Sequence, residues 1–316
     1  MKKTTLVLAL LLIWPVAVSA RPYRIRKVGV SPEFVAVTQD GLMAYVTSYE
    51  TGELIGVDLS QKAIARRVVV GSSPIGVALT LDEKFAYVAC RDSGTVAVVD
   101  LSTFRVEANI VVGGAPNAVA IGGKGYRAYV TNFGRSREGT LHIIDIRERN
   151  LVSSMKMGLA PIALAVSPAT EFVYVVNGGS NEVWVVNPDR QVVVTRIPVG
   201  EAPDGLAITP DGARVFVANS RSNDLSVIDA KAGVPLVSIP VGRQPFGVTV
   251  SPDGKRVFVV NTGAKTVSVL PVDLSSLEAK TVQIDKGCID IKVLHNNRTA
   301  VVACEQSNCL LIVDTP

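Results

Sequence analysis

Hydrophobic positions in this chain fall in short runs of four to six residues separated by polar turns, and no window keeps a 3.6-residue period long enough for a helix. The stretch around residue 210 shows the scheme. Gly205-Leu206-Ala207-Ile208-Thr209 leads into Pro210-Asp211-Gly212, a turn signal in which the glycine accepts positive φ. Val215-Phe216-Val217-Ala218 follows and stops at Asn219, then Leu225-Ser226-Val227-Ile228 stops at Asp229. Alternation of this kind predicts four strands: A over 205–209, B over 214–219, C over 225–229 and D over 234–239.

The same unit recurs along the chain. Its proline sits at Pro32, Pro74, Pro116, Pro161, Pro203 and Pro245, and one further step lands on Cys288. The aromatic of strand B keeps the same count at Tyr45, Tyr87, Tyr129, Tyr174, Phe216 and Phe258, with Val301 in the last unit. Seven units of four short strands, 42 to 45 residues apart, are the signature of propeller blades. The expected fold is an all-β, seven-bladed propeller of four-stranded blades filling residues 21–316. Residues 23–28 match strand D of a unit, whereas the chain stops at 310–314 on a match to strand C. The N-terminal strand should therefore pair into the last blade and close the ring, removing an open edge. Within the units, Asn132, Asn177, Asn219 and Asn261 read as caps at the end of strand B, and Asp58, Asp100, Asp145 and Asp229 as braces of the turn after strand C.

Tyr129-Val130-Thr131-Asn132, together with Tyr45-Val46-Thr47-Ser48, Tyr174-Val175-Val176-Asn177 and Phe216-Val217-Ala218-Asn219, resembles the YVTN family of β-propeller repeats over all seven units. That resemblance implies the fold and leaves activity open, because such propellers include surface-layer proteins, binding scaffolds and redox-associated periplasmic proteins. In length and leader the chain is also similar to periplasmic propellers that accompany pyrroloquinoline-quinone-dependent catabolism.

Residues 1–20 carry Lys2 and Lys3, an apolar run over 6–18 and small residues up to Ala20, which reads as a cleaved signal peptide and export to a periplasm. The apolar run is short for a bilayer span, and no transmembrane segment is expected in the mature chain. The 32 basic residues against 28 acidic ones include both leader lysines. The mature chain is close to neutral, so double-stranded nucleic acid is not an expected partner.

Candidate chemistry gathers where the D-to-A and B-to-C loops meet, around the mouth of the central channel. The position after each repeat proline faces that mouth, which places Glu33, Asn117, Asp204 and Phe246 there, with Asp290 at the second position of the last unit. Oxygens from Glu33, Asn117, Asp204 and Asp290 could hold Ca²⁺, and the set resembles the carboxylate and amide metal sites of propeller lactonases without matching a motif of theirs. Arg91, Arg221 and Arg243, with Arg135 and Arg137 on a longer B-to-C loop in the third unit, make the same face basic. A small anionic ligand, an acidic protein surface or a single strand stacking on Tyr49, Phe133 or Phe246 would suit it.

His142 and His295 fall in different units, which gives no His-based acid–base pair, metal site or haem ligation. Among the cysteines, Cys304 neighbours both Cys288 and Cys309. Strand register favours a Cys288–Cys304 disulfide, with Cys309 and Cys90 free. The expectation is a monomeric, non-catalytic binding or scaffold protein working through the funnel face. A metal-dependent, lactonase-like hydrolase and an accessory to a periplasmic quinone or haem redox enzyme are its rivals.

Overall fold

The computed structural model describes residues 22–136 and 138–315. The leader expected over residues 1–20 lies outside the described residues. Strands follow one another as antiparallel neighbours in seven four-stranded sheets, each sheet one blade. In the fifth blade strand A is Pro203–Ile208, B is Arg214–Asn219, C is Asp224–Asp229 and D is Val234–Pro240. Strand A therefore starts two residues earlier than its alternation suggests. Pro203 pairs with Asn219 and Gly205 with Ala218, so Asp204 is an extra residue bulged out of the ladder.

Burial follows from how blades stack. Strands B and C are apolar and buried on almost every position, because each lies between two neighbouring blades. D strands alternate exposed and covered positions, since they form the outer rim. The strand-B aromatics Tyr87, Tyr129, Phe216 and Phe258 are among the largest fully buried side chains and fill the wedge between blades. Near the axis the A strands converge so closely that a Cβ on Gly205 would stand 2.2 Å from the Phe246 carbonyl oxygen, and one on Gly247 2.4 Å from that of Ile289. Only a residue without a side chain fits there.

The ring closes as the terminal matches predict. The last blade takes Cys288–Val293, Thr299–Cys304 and Cys309–Asp314, and Tyr23–Arg26 adds its fourth strand, in register from Tyr23 opposite Ile312 to Arg26 opposite Cys309. The third unit departs from the expected loop. Its B and C strands lengthen to Arg127–Ser136 and Glu138–Asp145 and stay paired to Ser136–Glu138, so the inserted residues extend a hairpin.

Turn braces act through backbone amides. Asp100 accepts from the N–H groups of Ser102 and Thr103, and Asp229 from those of Lys231 and Ala232. Cys288 and Cys304 face each other and are joined by a disulfide, while Cys90 and Cys309 are free and buried. The disulfide closes a ring of sequence separation 16 in the blade that seals the propeller. A Cys288→Ser, Cys304→Ser double variant is expected to lose about 3 kcal/mol, the chain-entropy value for a loop of this size. Chemical denaturation of oxidised parent and variant measures it, and a loss below about 1 kcal/mol would contradict the assignment.

Candidate functional site

The bulge after each repeat proline lifts one side chain out of the sheet and turns it to the mouth. Glu33, Ile75, Asn117, Ile162, Asp204 and Phe246 thus converge from six blades on one cavity of about 360 Å³. A second ring of wall residues comes from the position just after the strand-B residue that pairs with the repeat proline, or with Cys288 in the last blade. Tyr49, Arg91, Phe133 and Glu305 occupy it in blades one, two, three and seven and line the cavity, whereas Gly178, Ser220 and Thr262 occupy it in blades four to six. The backbone N–H groups of Tyr49, Arg91 and Phe133 donate to the carbonyls of Ser31, Ser73 and Ala115, each at 3.0 Å, which fixes the wall to the loops ahead of the prolines. The mouth is therefore high on one side and low on the other. Sequence reasoning had noted Tyr49 and Phe133 only as stacking partners and missed Glu305, Glu50 and Phe34. The column of large residues just after each proline-paired residue of strand B was the signal that could have found the wall.

Electrostatics at the mouth differ from the expected basic face. Four carboxyls, Glu33, Glu50, Asp204 and Glu305, share the cavity with one guanidinium, Arg91, among the described residues. Arg91 is held against the wall, 5.5 Å from the centre of the Phe133 ring. Arg221 and Arg243 are exposed and flank a separate depression with Asn223 and Gln244 between blades five and six. Arg137 lies outside the described residues, as does the side chain of Arg135. An anionic ligand is thus not what the cavity suits.

Asp290 also departs from its expected place. Ile289 takes the bulge of the last blade, so Asp290 points down the channel. There it is 2% exposed, accepts the Val35 N–H at 3.0 Å and pairs with Lys292 at 3.1 Å. It does not join the set of mouth oxygens proposed for Ca²⁺. Among the described residues no three His, Cys, Asp or Glu side chains stand close enough to hold a metal ion. Asn117 turns its amide nitrogen to the Ile162 carbonyl at 2.6 Å, bracing the rim. His142 is spent inside blade three, between Ser154 at 2.7 Å and Asn132 at 2.9 Å, and burial lowers its pKa to about 4.

The Glu33 carboxyl forms no hydrogen bond or ion pair with any described residue. Burial pushes its pKa up to about 7 and the Glu305 charge adds to this, while Arg91 works against it. Burial raises the Asp204 pKa as well, opposed by a hydrogen bond from Ser220. A carboxyl whose folded pKa is raised is protonated in the native state while the unfolded chain ionises, so it costs stability as pH rises from about 4.5 to 7, and that cost stays above 7. Glu33→Gln is therefore expected to stabilise the protein by about 2 kcal/mol at pH 8 and by almost nothing at pH 4.5. Melting curves of both proteins at the two pH values read this out, and an equal gain at both would refute the assignment.

A family model described as a YNCE-like beta-propeller matches residues 22–168 and, again, 151–315. No curated protein sequence matches the chain. Among solved structures, a chain of Kuenenia stuttgartiensis hydrazine synthase superposes with a TM-score of 0.82 at 20% identity, covering 96% of this chain and 99% of that one. A functionally unknown protein from Desulfotomaculum acetoxidans superposes with a TM-score of 0.76 at 17% identity, covering 86% and 92%. At these identities the likeness is one of fold.

Proposed function

The chain belongs to the YNCE-like β-propeller family, and we propose that it is an exported, non-catalytic binding propeller that holds a ligand in the mouth of its ring. One observation carries this reading: six blades each turn one side chain into the same cavity, and the wall above it is fixed by backbone hydrogen bonds. A preformed concavity with aromatic walls and a few placed polar groups is the usual form of a small-molecule site. The lactonase-like alternative asks for oxygens converging on a metal, and the engagement of Asp290 by Val35 and Lys292 takes away one of the four that sequence offered. Export rests on the leader read in residues 1–20.

A test uses the low-molecular-weight fraction of an envelope extract from the native source. Binding to the folded state alone raises stability by mass action, about 2.7 kcal/mol at a hundredfold excess over Kd. The fraction is expected to raise the melting temperature of the parent and not that of a Tyr49→Ala, Phe246→Ala double variant, which strips two partly exposed rings from the mouth. An equal shift in both proteins would remove the cavity as the site. Stoichiometric bound metal with hydrolysis of a lactone would replace the reading with the hydrolase.

A further inference from the structure

We infer that the ligand of the mouth cavity is a small organic ammonium ion, held by the Glu33 and Asp204 carboxyls with its apolar part against the Tyr49 and Phe246 rings. This rests on the binding reading of the same cavity and adds the charge and character of the occupant.

Three features of the cavity point the same way. First, its charges do not balance: four carboxyls face one guanidinium among the described residues, and that guanidinium is engaged with the Phe133 ring. Second, the Glu33 carboxyl is partly buried at the cavity wall and is given no hydrogen-bond donor by the described residues, so it faces the cavity with its oxygens open to an occupant. Glu305 and Arg91 are the described charges that act on it, while Glu50 and Asp204 lie elsewhere on the lining of the same cavity. A bound ammonium supplies the missing N–H donors and positive charge together, and charge-assisted hydrogen bonds of this kind are the strong ones. Third, apart from Ser31 and Asn117 the rest of the lining is apolar and aromatic, with Phe34, Ile75 and Ile162 beside the two rings. Cations are attracted to ring faces, and an organic cation also gains from burying its carbon atoms there. A divalent metal fits less well, since Ca²⁺ takes six to eight oxygens and the described residues bring no three acidic, His or Cys groups together.

Ionisation adds a directional expectation. The cation is held by carboxylates, so affinity should rise as Glu33 loses its proton through pH 7 and level off above it.

Calorimetric titration of the full chain with three compounds of one shape tests this: phenethylamine, 2-phenylethanol and phenylacetate. At pH 8 the amine is expected to bind about tenfold or more tightly than either of the others, the value of one charged hydrogen bond. Glu33→Gln and Asp204→Asn should each weaken the amine about tenfold and leave the alcohol unchanged. Melting curves show that both variants fold, and the fall in parent affinity from pH 8 to pH 6 is an arm that needs no variant. Alcohol or acid binding as well as the amine would overturn the inference, as would amine binding untouched by both substitutions or by pH. So would failure of all three to bind, or tight stoichiometric Ca²⁺ that displaces the amine. If the alcohol binds like the amine and is lost in the Tyr49→Ala, Phe246→Ala variant, the cavity remains the site and only its charge preference falls.

Discussion

A chain that starts at Gly29, without residues 22–28, is expected to lose about 5 kcal/mol of stability and melt roughly 10 °C lower. The removed segment supplies the outermost strand of the last blade. Its side chains Ile25 and Val28 are buried in the core shared by the last blade and the first, against Leu310, Ala303 and Val46. Exposing two such residues costs about 2 kcal/mol each. The remainder comes from the strand hydrogen bonds and from Asn308, whose backbone carbonyl accepts the Val28 N–H at 3.3 Å. The bidentate pair of Arg24 with Asp285, at 2.6 and 2.7 Å, lies at the surface and contributes little. Arg24→Ala is the matching control and should cost less than about 1 kcal/mol. Thermal melts of the three proteins decide it: a truncated chain melting within a degree or two of the parent would show that the ring does not depend on this strand.

Most of this architecture was legible because each blade solves the same local problem with the same residues. The proline, the strand-B aromatic and the Asp brace recur wherever a turn or wedge must be made again. Of the four Asn expected as backbone caps, only Asn132 accepts a backbone N–H. Asn177 donates to the Val175 carbonyl, Asn219 to Asp224 and Ser226, and Asn261 to Thr266 and Ser268, and their Oδ1 atoms accept from no described group. The Asn132 side chain accepts from the Ala115 N–H and donates to the Gly113 carbonyl, tying strand B to the loop ahead of its own blade's Pro116. Closure was legible from the terminal matches, since Tyr23–Arg26 is a strand D with no blade of its own. The site was legible only in part. Counting from the proline found Glu33, Asn117, Asp204 and Phe246, because the bulge that turns them to the mouth falls at one fixed position. The same count could not weigh charge. Arginines were assigned to a face, but a face is wider than a cavity, and Arg221 and Arg243 sit beyond the low wall of blades five and six. Glu305 was hidden because its loop forms a short 3₁₀ turn, Glu305–Ser307, in a unit whose aromatic and proline are both replaced.

Asp290→Ala is expected to cost about 3 kcal/mol, more than any loss at the mouth, because this carboxylate is a brace rather than a ligand. Moving one residue past the bulge turns its side chain from the mouth into the channel, where the last blade meets the first. Its Oδ2 accepts the N–H of Val35, which is itself 1% exposed, and both oxygens lie within 3.2 Å of the Lys292 Nζ. Alanine leaves a buried donor without an acceptor, at about 1–3 kcal/mol, and leaves the Lys292 ammonium without its partner. Lys292 retains some access to water in the channel, its side chain being 35% exposed, so the second loss is modest. Asp290→Asn separates the two contributions. Its side-chain oxygen can still accept from Val35 while the charge is gone, so its expected cost is about 1 kcal/mol. Chemical denaturation ranks the variants, and amide exchange at Val35 should quicken in the alanine variant and stay close to the parent in the asparagine one. Equal losses for alanine and asparagine would place the whole effect in the ion pair. A loss below about 1 kcal/mol for alanine would show that the joint between the last and first blades is held without this residue.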